Sequence, residues 1–155
     1  MLAPNPINAL EILIKPWQEA SQDAYLIREK VFIEEQGVPE DMELDDFDPT
    51  SKHALAYEGR LCVGTGRLVH LNSHHAQIGR MAVLSAFRNR GIGKAILSRL
   101  IALAKAEGVL TLILHSQVSA IPFYAKMGFI AEGPIYDEAG IPHRNMILSL
   151  VKTIE

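Results

Sequence analysis

The chain has 155 residues, 48% of them apolar and 21% charged, a balance that supports one domain with a full core and excludes a disordered chain. No apolar run reaches the ~20 residues of a membrane helix, and a net charge of −3 excludes the basic footprint of a nucleic-acid binder. The lone cysteine, Cys62, excludes an internal disulfide and suits a reducing, cytoplasmic setting.

Residues 1–8 read as a frayed lead, without the basic-then-apolar order of a signal peptide. Residues 10–14 alternate loosely as a first strand, which Pro16 ends. Ser21 is a fair N-cap for a helix running to Gln36, with Ala24, Ile27 and Val31 on one apolar stripe. Gly37 and Pro39 stop it. Residues 38–51 form an acidic loop. From Glu34 to Asp48 there are eight acids and no Lys or Arg, which leaves 15 basic against 10 acidic residues elsewhere. That segment is either a solvated loop or a wall that draws in a cation.

Residues 53–57 and 61–70 read as a hairpin across Glu58-Gly59-Arg60. A turn at Asn72-Ser73-His74-His75 leads to a strand over residues 77–84. A long amphipathic helix covers residues 91–107, with Ile92, Ala95, Ile96, Leu100, Leu103 and Ala104 as its core face. Residues 110–114 are a short apolar strand, expected to be buried and parallel to the one before the helix. A second helix spans residues 119–127. Strands over 129–131 and 145–151 finish the chain, joined through Asp137-Glu138-Ala139-Gly140.

The loop Arg88-Asn89-Arg90-Gly91-Ile92-Gly93-Lys94 lies where a strand gives way to the long helix. Glycine there lets the backbone approach a ligand, and free N–H groups at a helix start attract anions. Arg88, Arg90 and Lys94 add charge, so the segment suits a phosphate. A plain glycine turn with solvated arginines is the alternative. Neither common phosphate motif fits. A Walker A loop would need glycine at Arg88 and a hydroxyl at Ala95. A dinucleotide fingerprint would need a third glycine at Ile96, or at Val69 for the pair Gly64 and Gly66.

What fits is R-x-x-G-x-G, from Arg88, Gly91 and Gly93, followed downstream by Gln117-Val118-Ser119-Ala120-Ile121-Pro122-Phe123-Tyr124-Ala125-Lys126-Met127-Gly128-Phe129. Together these resemble the two signatures of the GNAT superfamily of N-acetyltransferases, with Gln117 where the family commonly has asparagine. Glu34-Glu35-Gln36-Gly37-Val38-Pro39 and Glu138-Ala139-Gly140-Ile141-Pro142-His143 resemble a small bacterial subgroup. The resemblance implies an α/β (α+β) fold: a mostly antiparallel sheet with one splayed parallel strand pair, flanked by helices. It also implies acetyl-CoA as cosubstrate, with pantetheine on Met81, Ala82 and Val83 and diphosphate on Arg88, Asn89, Arg90, Gly91, Ile92, Gly93 and Lys94. Gln117 and Phe123 stand beside the cosubstrate, and Tyr124 takes the general-acid position. The expected acceptor is a small cationic molecule, its primary amine attacked directly in a ternary complex with the acidic segment lining the acceptor side, and a homodimer is compatible with the family.

The base is open among Glu35, Asp45, Asp46, His53, His115 and His143. Histidine spacing gives no metal site. A coenzyme A-binding module without chemistry, or a protein-lysine acetyltransferase, are the rival readings.

Overall fold

The computed structural model describes residues 9–151; the expected frayed lead at residues 1–8 lies outside them. Seven strands form one sheet in the order β1-β2-β3-β4-β5-β7-β6. They are β1 (Leu10–Pro16), β2 (Lys52–Glu58), β3 (Leu61–His70), β4 (His75–Val83), β5 (Thr111–Gln117), β6 (Ile130–Glu138) and β7 (Ile141–Ser149). Only β4 and β5 run parallel; every other pairing is antiparallel. The expected mixed fold is therefore present.

One face of the sheet carries α3 (Ile92–Ala106), the helix between the two parallel strands. Ile92, Ile96, Leu97, Leu100 and Ala104 are buried beneath it, in the cluster that holds Leu68, Ile78, Leu112, Leu114 and Met146. Gly64 and Gly66 on β3 explain how closely the helix sits. A Cβ at Gly66 would lie 2.7 Å from Met81 Sδ and 2.9 Å from Ile96 and Leu100. These glycines, which match no nucleotide fingerprint, serve helix–sheet packing.

The other face carries α1 (Trp17–Arg28), which continues through π-helical turns at Glu29–Glu35, and the short α2 (Glu40–Glu43). The helix starts at Trp17, four residues before the expected cap at Ser21. Pro16 stands at the N-cap in an extended conformation. Proline there costs nothing, because no intrahelical bond needs its N–H.

The last two strands are also longer than their sequence suggests. β6 runs through Gly133-Pro134 as an edge strand, where proline is tolerated. The register slips between Glu132 and Tyr136, and the Arg144 side chain donates to the Gly133 carbonyl at 2.8 Å across the irregularity. Ala139 and Gly140, both at positive φ, close a tight hairpin to β7. The second helix is short: α4 (Ile121–Lys126) follows a 3-10 turn at Val118–Ala120.

Candidate active site

Only three residue pairs join the parallel strands: His75 with Thr111, Ala76 with Leu112 and Gln77 with Ile113. Beyond them β4 and β5 part. The cause lies on the other side of β4. Thr65 of β3 pairs with Ala82 and Arg67 with Gly79, so one β3 residue faces both Arg80 and Met81. This bulge, with Arg80 at a φ of 52°, bends β4 away from β5. Backbone groups of residues 79–83 on that side lose their strand partner, and buried groups of this kind demand one.

A cleft of about 600 Å³ occupies the parting. Gly79, Arg80, Met81, Ala82 and Val83 line one wall; Leu114, His115 and Gln117 of β5 line the other. The side chain of Gln117 donates to that of Gln36 at 2.8 Å, so it spans the mouth to the π-helical segment.

At one end of the cleft lies the head of α3. Gly91 is its N-cap, at a φ of 81°, and among the described residues no side chain caps the turn. The amides of Ile92, Gly93 and Lys94 precede the first intrahelical bond, which runs from Ala95 to Gly91. A Cβ at Gly93 would meet Phe123 at 3.4 Å and Val83 at 3.9 Å, ordinary contacts that leave the chain itself indifferent to alanine there. Two of the three surrounding cations are already engaged. Arg88 makes a bidentate pair with Glu35 at 2.6 and 2.7 Å, while its Nε donates to the Val83 carbonyl at 2.9 Å. Arg90 reaches Glu58 at 3.3 Å. The Arg88 guanidinium holds the Glu35 carboxyl below its ordinary value. An exposed pair of this kind is worth only ~0.2–1 kcal/mol, small beside the charge of a diphosphate.

The acidic loop does not stand free in solvent. Arg28, buried on α1, donates to Glu43 at 2.8 Å and to Asp48 at 2.9 Å. Arg67 meets Asp45 at 2.7 Å and Asp48 at 3.0 Å. Arg80 meets Glu43 at 3.0 Å and Asp45 at 3.3 Å. Three guanidiniums thus balance three carboxylates, and the segment offers much less net attraction to a cation than its sequence suggests. His53 is buried beside this network, against Trp17 and the Asp48 carbonyl at 3.0 Å.

The network makes stability depend on acid. Burial lowers His53, so the folded chain keeps it neutral below the unfolded value near 6.5. Burial by itself raises Asp45 and Asp48, but hydrogen bonds and charges from Arg67, Arg80 and Arg28 outweigh it and hold both carboxyls low. Both effects are complete above the unfolded values and vanish as pH falls through the folded ones. Burial raises Glu43 despite Arg80 and Arg28, which partly offsets the second loss. Thermal melts should therefore show the midpoint falling in two stages, below about pH 6.5 and again below about pH 4. A midpoint that stays flat from pH 7 to 5 would remove His53 from this account.

Across the cleft, His115 Nδ1 lies 3.2 Å from Glu138 Oε1, and His143 Nε2 lies 3.6 Å from Glu138 Oε2. His143 Nδ1 is held by the Ile141 carbonyl at 2.7 Å, and its ring stacks on Tyr136. All three of His115, Glu138 and His143 line the cleft. Tyr124 lines it too, wedged edge-on between Phe123 and Phe129. Burial pushes its hydroxyl up to about 12.

Of the residues singled out in the sequence, Met81, Ala82, Val83, Arg88, Gln117, Tyr124, His115, His143 and Asp45 line this one cleft. Gly93 and Phe123 adjoin it through contact with each other and with Val83. Glu35 faces Arg88 at the rim. Asp46 and His53 do not line the cleft. Glu138, Arg67 and Arg80 do, and sequence reasoning missed them. Strand alternation gave a hint for Arg67: with Gly64 and Gly66 under the helix, position 67 belongs to the opposite face.

Residues 18–150 match the family model described as "Acetyltransferase (GNAT) domain". The chain is 35% identical over 140 residues to YjcF of Bacillus subtilis, described as an uncharacterized N-acetyltransferase, covering 89% of this chain and 99% of that one. A solved structure from Lactobacillus plantarum, proposed to be an N-acetyltransferase, superposes with a TM-score of 0.84 at 30% identity, over 93% of this chain and all of the other. A GNAT-family acetyltransferase from Elizabethkingia anophelis, solved with acetyl-CoA bound, shares the fold at a TM-score of 0.69 and 19% identity, over 90% of this chain and 98% of that one. With a family model spanning nearly the whole described chain over a sheet that parts where the motifs predict, the protein belongs to the GNAT superfamily and is an acyltransferase enzyme.

Proposed function

We propose that the whole chain is one acetyltransferase domain that moves an acetyl group from acetyl-CoA to the amine of a small acceptor, by direct attack while both are bound. The parting of β4 from β5, with the uncapped head of α3 at its end, carries this reading. A pantetheine arm, rich in amides, suits the strand groups that Met81, Ala82 and Val83 leave without a β5 partner. A diphosphate suits the amides and cations of residues 88–94, with Phe123 behind Gly93. Arg88 joins it by exchanging Glu35, a weak exposed partner. That fit supports the cosubstrate, as does the acetyl-CoA in the Elizabethkingia anophelis protein of the same fold.

An amine reaches the cleft as an ammonium and must lose a proton before its lone pair can attack the thioester carbon. His115 and His143, which meet at Glu138 on the cleft wall, would accept that proton and hold the charge that results. As the new C–N bond forms, the C–S bond breaks and the sulfur takes up negative charge, which a hydrogen bond from the hydroxyl of Tyr124, a residue lining the same cleft, would meet. An acyl-cysteine route is disfavoured: burial raises the Cys62 thiol to about 11, and Cys62 does not line the cleft.

A cytoplasmic setting accords with this chemistry. A homodimer through the edge strand β6, where Ile130 and Ile135 stand exposed, belongs to the same proposal. Sedimentation as a monomer would remove the dimer and nothing else.

The test is release of free coenzyme A from acetyl-CoA over a panel of small amines, in the wild type and in Gly93→Ala. Amine-dependent release is expected, with coenzyme affinity at least about tenfold weaker in Gly93→Ala at an unchanged melting point, because only a ligand approaching the backbone feels the new methyl. No amine-stimulated release would end the amine reading. Unchanged coenzyme affinity in the variant would move the diphosphate elsewhere.

A further inference from the structure

We propose that the acceptor carries a carboxylate next to its amine, and that Arg67, with Arg80 beside it, receives that carboxylate. The proposal rests on the amine-acetyltransferase reading and narrows it to amino-acid-like substrates.

The observation is an unspent guanidinium edge. Arg67 is 4% exposed and lines the cleft from β3. A guanidinium offers two forks of paired N–H groups, one of them from Nε and Nη2. Arg67 commits Nη1 to Asp45 and Asp48. Its Nε is the one buried side-chain polar atom without a partner among the described residues. Its Nη2 also has no acceptor among them. Leaving a buried donor unmatched is costly, and proteins rarely do so without cause. The unmatched edge has the spacing of a carboxylate's two oxygens, a match that a lysine ammonium would not provide.

The surroundings agree. Arg80 uses Nε and Nη2 on Glu43 and Asp45, and its Nη1 has no acceptor among the described residues. Both arginines line the cleft. Because three arginines already balance Glu43, Asp45 and Asp48, this wall is not the acidic surface the sequence suggests, and it does not repel a further anion. The opposite wall holds His115, His143 and Glu138, which suit an amine. Unspent donors on one side and proton acceptors on the other complement a molecule bearing a carboxylate and an amine. Were Arg67 only a strut for the acidic loop, its Nε–Nη2 edge would have no role, and the acceptor's carboxylate would not affect turnover.

The experiment compares matched acceptors: lysine with cadaverine, histidine with histamine, and phenylalanine with phenethylamine. Coenzyme A release is followed for each in the wild type. In at least one pair the carboxylate-bearing member is expected to be favoured at least about tenfold in kcat/KM. Arg67→Lys should bring that ratio down to about twofold, chiefly by raising KM for the carboxylate-bearing member. If Arg67→Lys does not fold, Arg80→Lys serves the same comparison, and the wild-type ratios stand without either variant. Equal or better turnover of the simple amine in every pair overturns the carboxylate proposal and leaves amine acetylation intact. If no member of any pair is acetylated, the amine reading fails. Calorimetry of the three amino acids on protein saturated with acetyl-CoA then decides the remaining point, and no binding there overturns the carboxylate site as well.

Discussion

Arg28→Met is expected to cost the fold about 3–5 kcal/mol, because it leaves a buried charge network without one of its cations. Arg28 is almost wholly buried, and its guanidinium donates to Glu43, to both oxygens of Asp48 and to the Glu43 carbonyl. Methionine keeps much of the side-chain length but none of these bonds. It also removes the cation that lies 5.5 Å from the Trp17 ring centroid. Glu43 and Asp48 would then have to hold charge in a place that already raises the Glu43 carboxyl through burial. For a chain of this size the loss corresponds to a fall of about 10 °C in Tm. Adding Asp48→Asn should recover part of it, since the asparagine no longer needs a cation. Urea denaturation of the two variants reads the effect. A loss below about 1 kcal/mol would mean that the loop tolerates solvent entry and that the network is peripheral.

Tyr124→Phe is expected to lower kcat by about 10–100-fold with little change in coenzyme affinity or Tm. The hydroxyl has no protein partner to lose among the described residues, so phenylalanine fits the same aromatic wedge. Its acidity decides its role. Burial pushes the hydroxyl up to about 12, above an ordinary thiol near 8.5, so full transfer of its proton to the departing sulfur is uphill. Tyr124 is therefore better suited to donating a hydrogen bond to the developing thiolate than to acting as an outright acid. Such a bond to a charged acceptor is worth about 1.5–3 kcal/mol, which sets the expected loss. The pH–rate profile should show no tyrosine limb below about pH 11. An unchanged kcat would remove Tyr124 from the chemistry; a large rise in KM for acetyl-CoA would make it a binding residue.

The hairpin, the crossover through α3 and the two motif-bearing turns were legible in the chain because each rests on a local pattern, whereas the whole mixed sheet with its splayed pair came from the family resemblance those motifs carry. Periodicity marks α3, glycines mark the turn at its start, and Tyr124 follows Gln117 at the spacing of the family signature. Element ends were less legible. Pro16 ends its strand as expected but also opens the helix ahead of the expected cap at Ser21, and β6 runs on through Gly133-Pro134, because a proline at an N-cap or on an edge strand gives up no backbone bond, and only the fold shows that these are such places.

The sequence by itself determined that a polyanion-friendly helix start follows a strand and that Tyr124 stands on the next helix, because backbone conformation and residue spacing are local. Tertiary structure alone decided what the charges do. Eight acids within fifteen residues read as either a solvated loop or a lure for cations, yet three of them fold back onto Arg28, Arg67 and Arg80, which lie outside that segment. The same long-range contacts left one edge of Arg67 without an acceptor and brought Glu138 between His115 and His143. Charge pairing depends on distance through space, which a linear charge pattern does not encode.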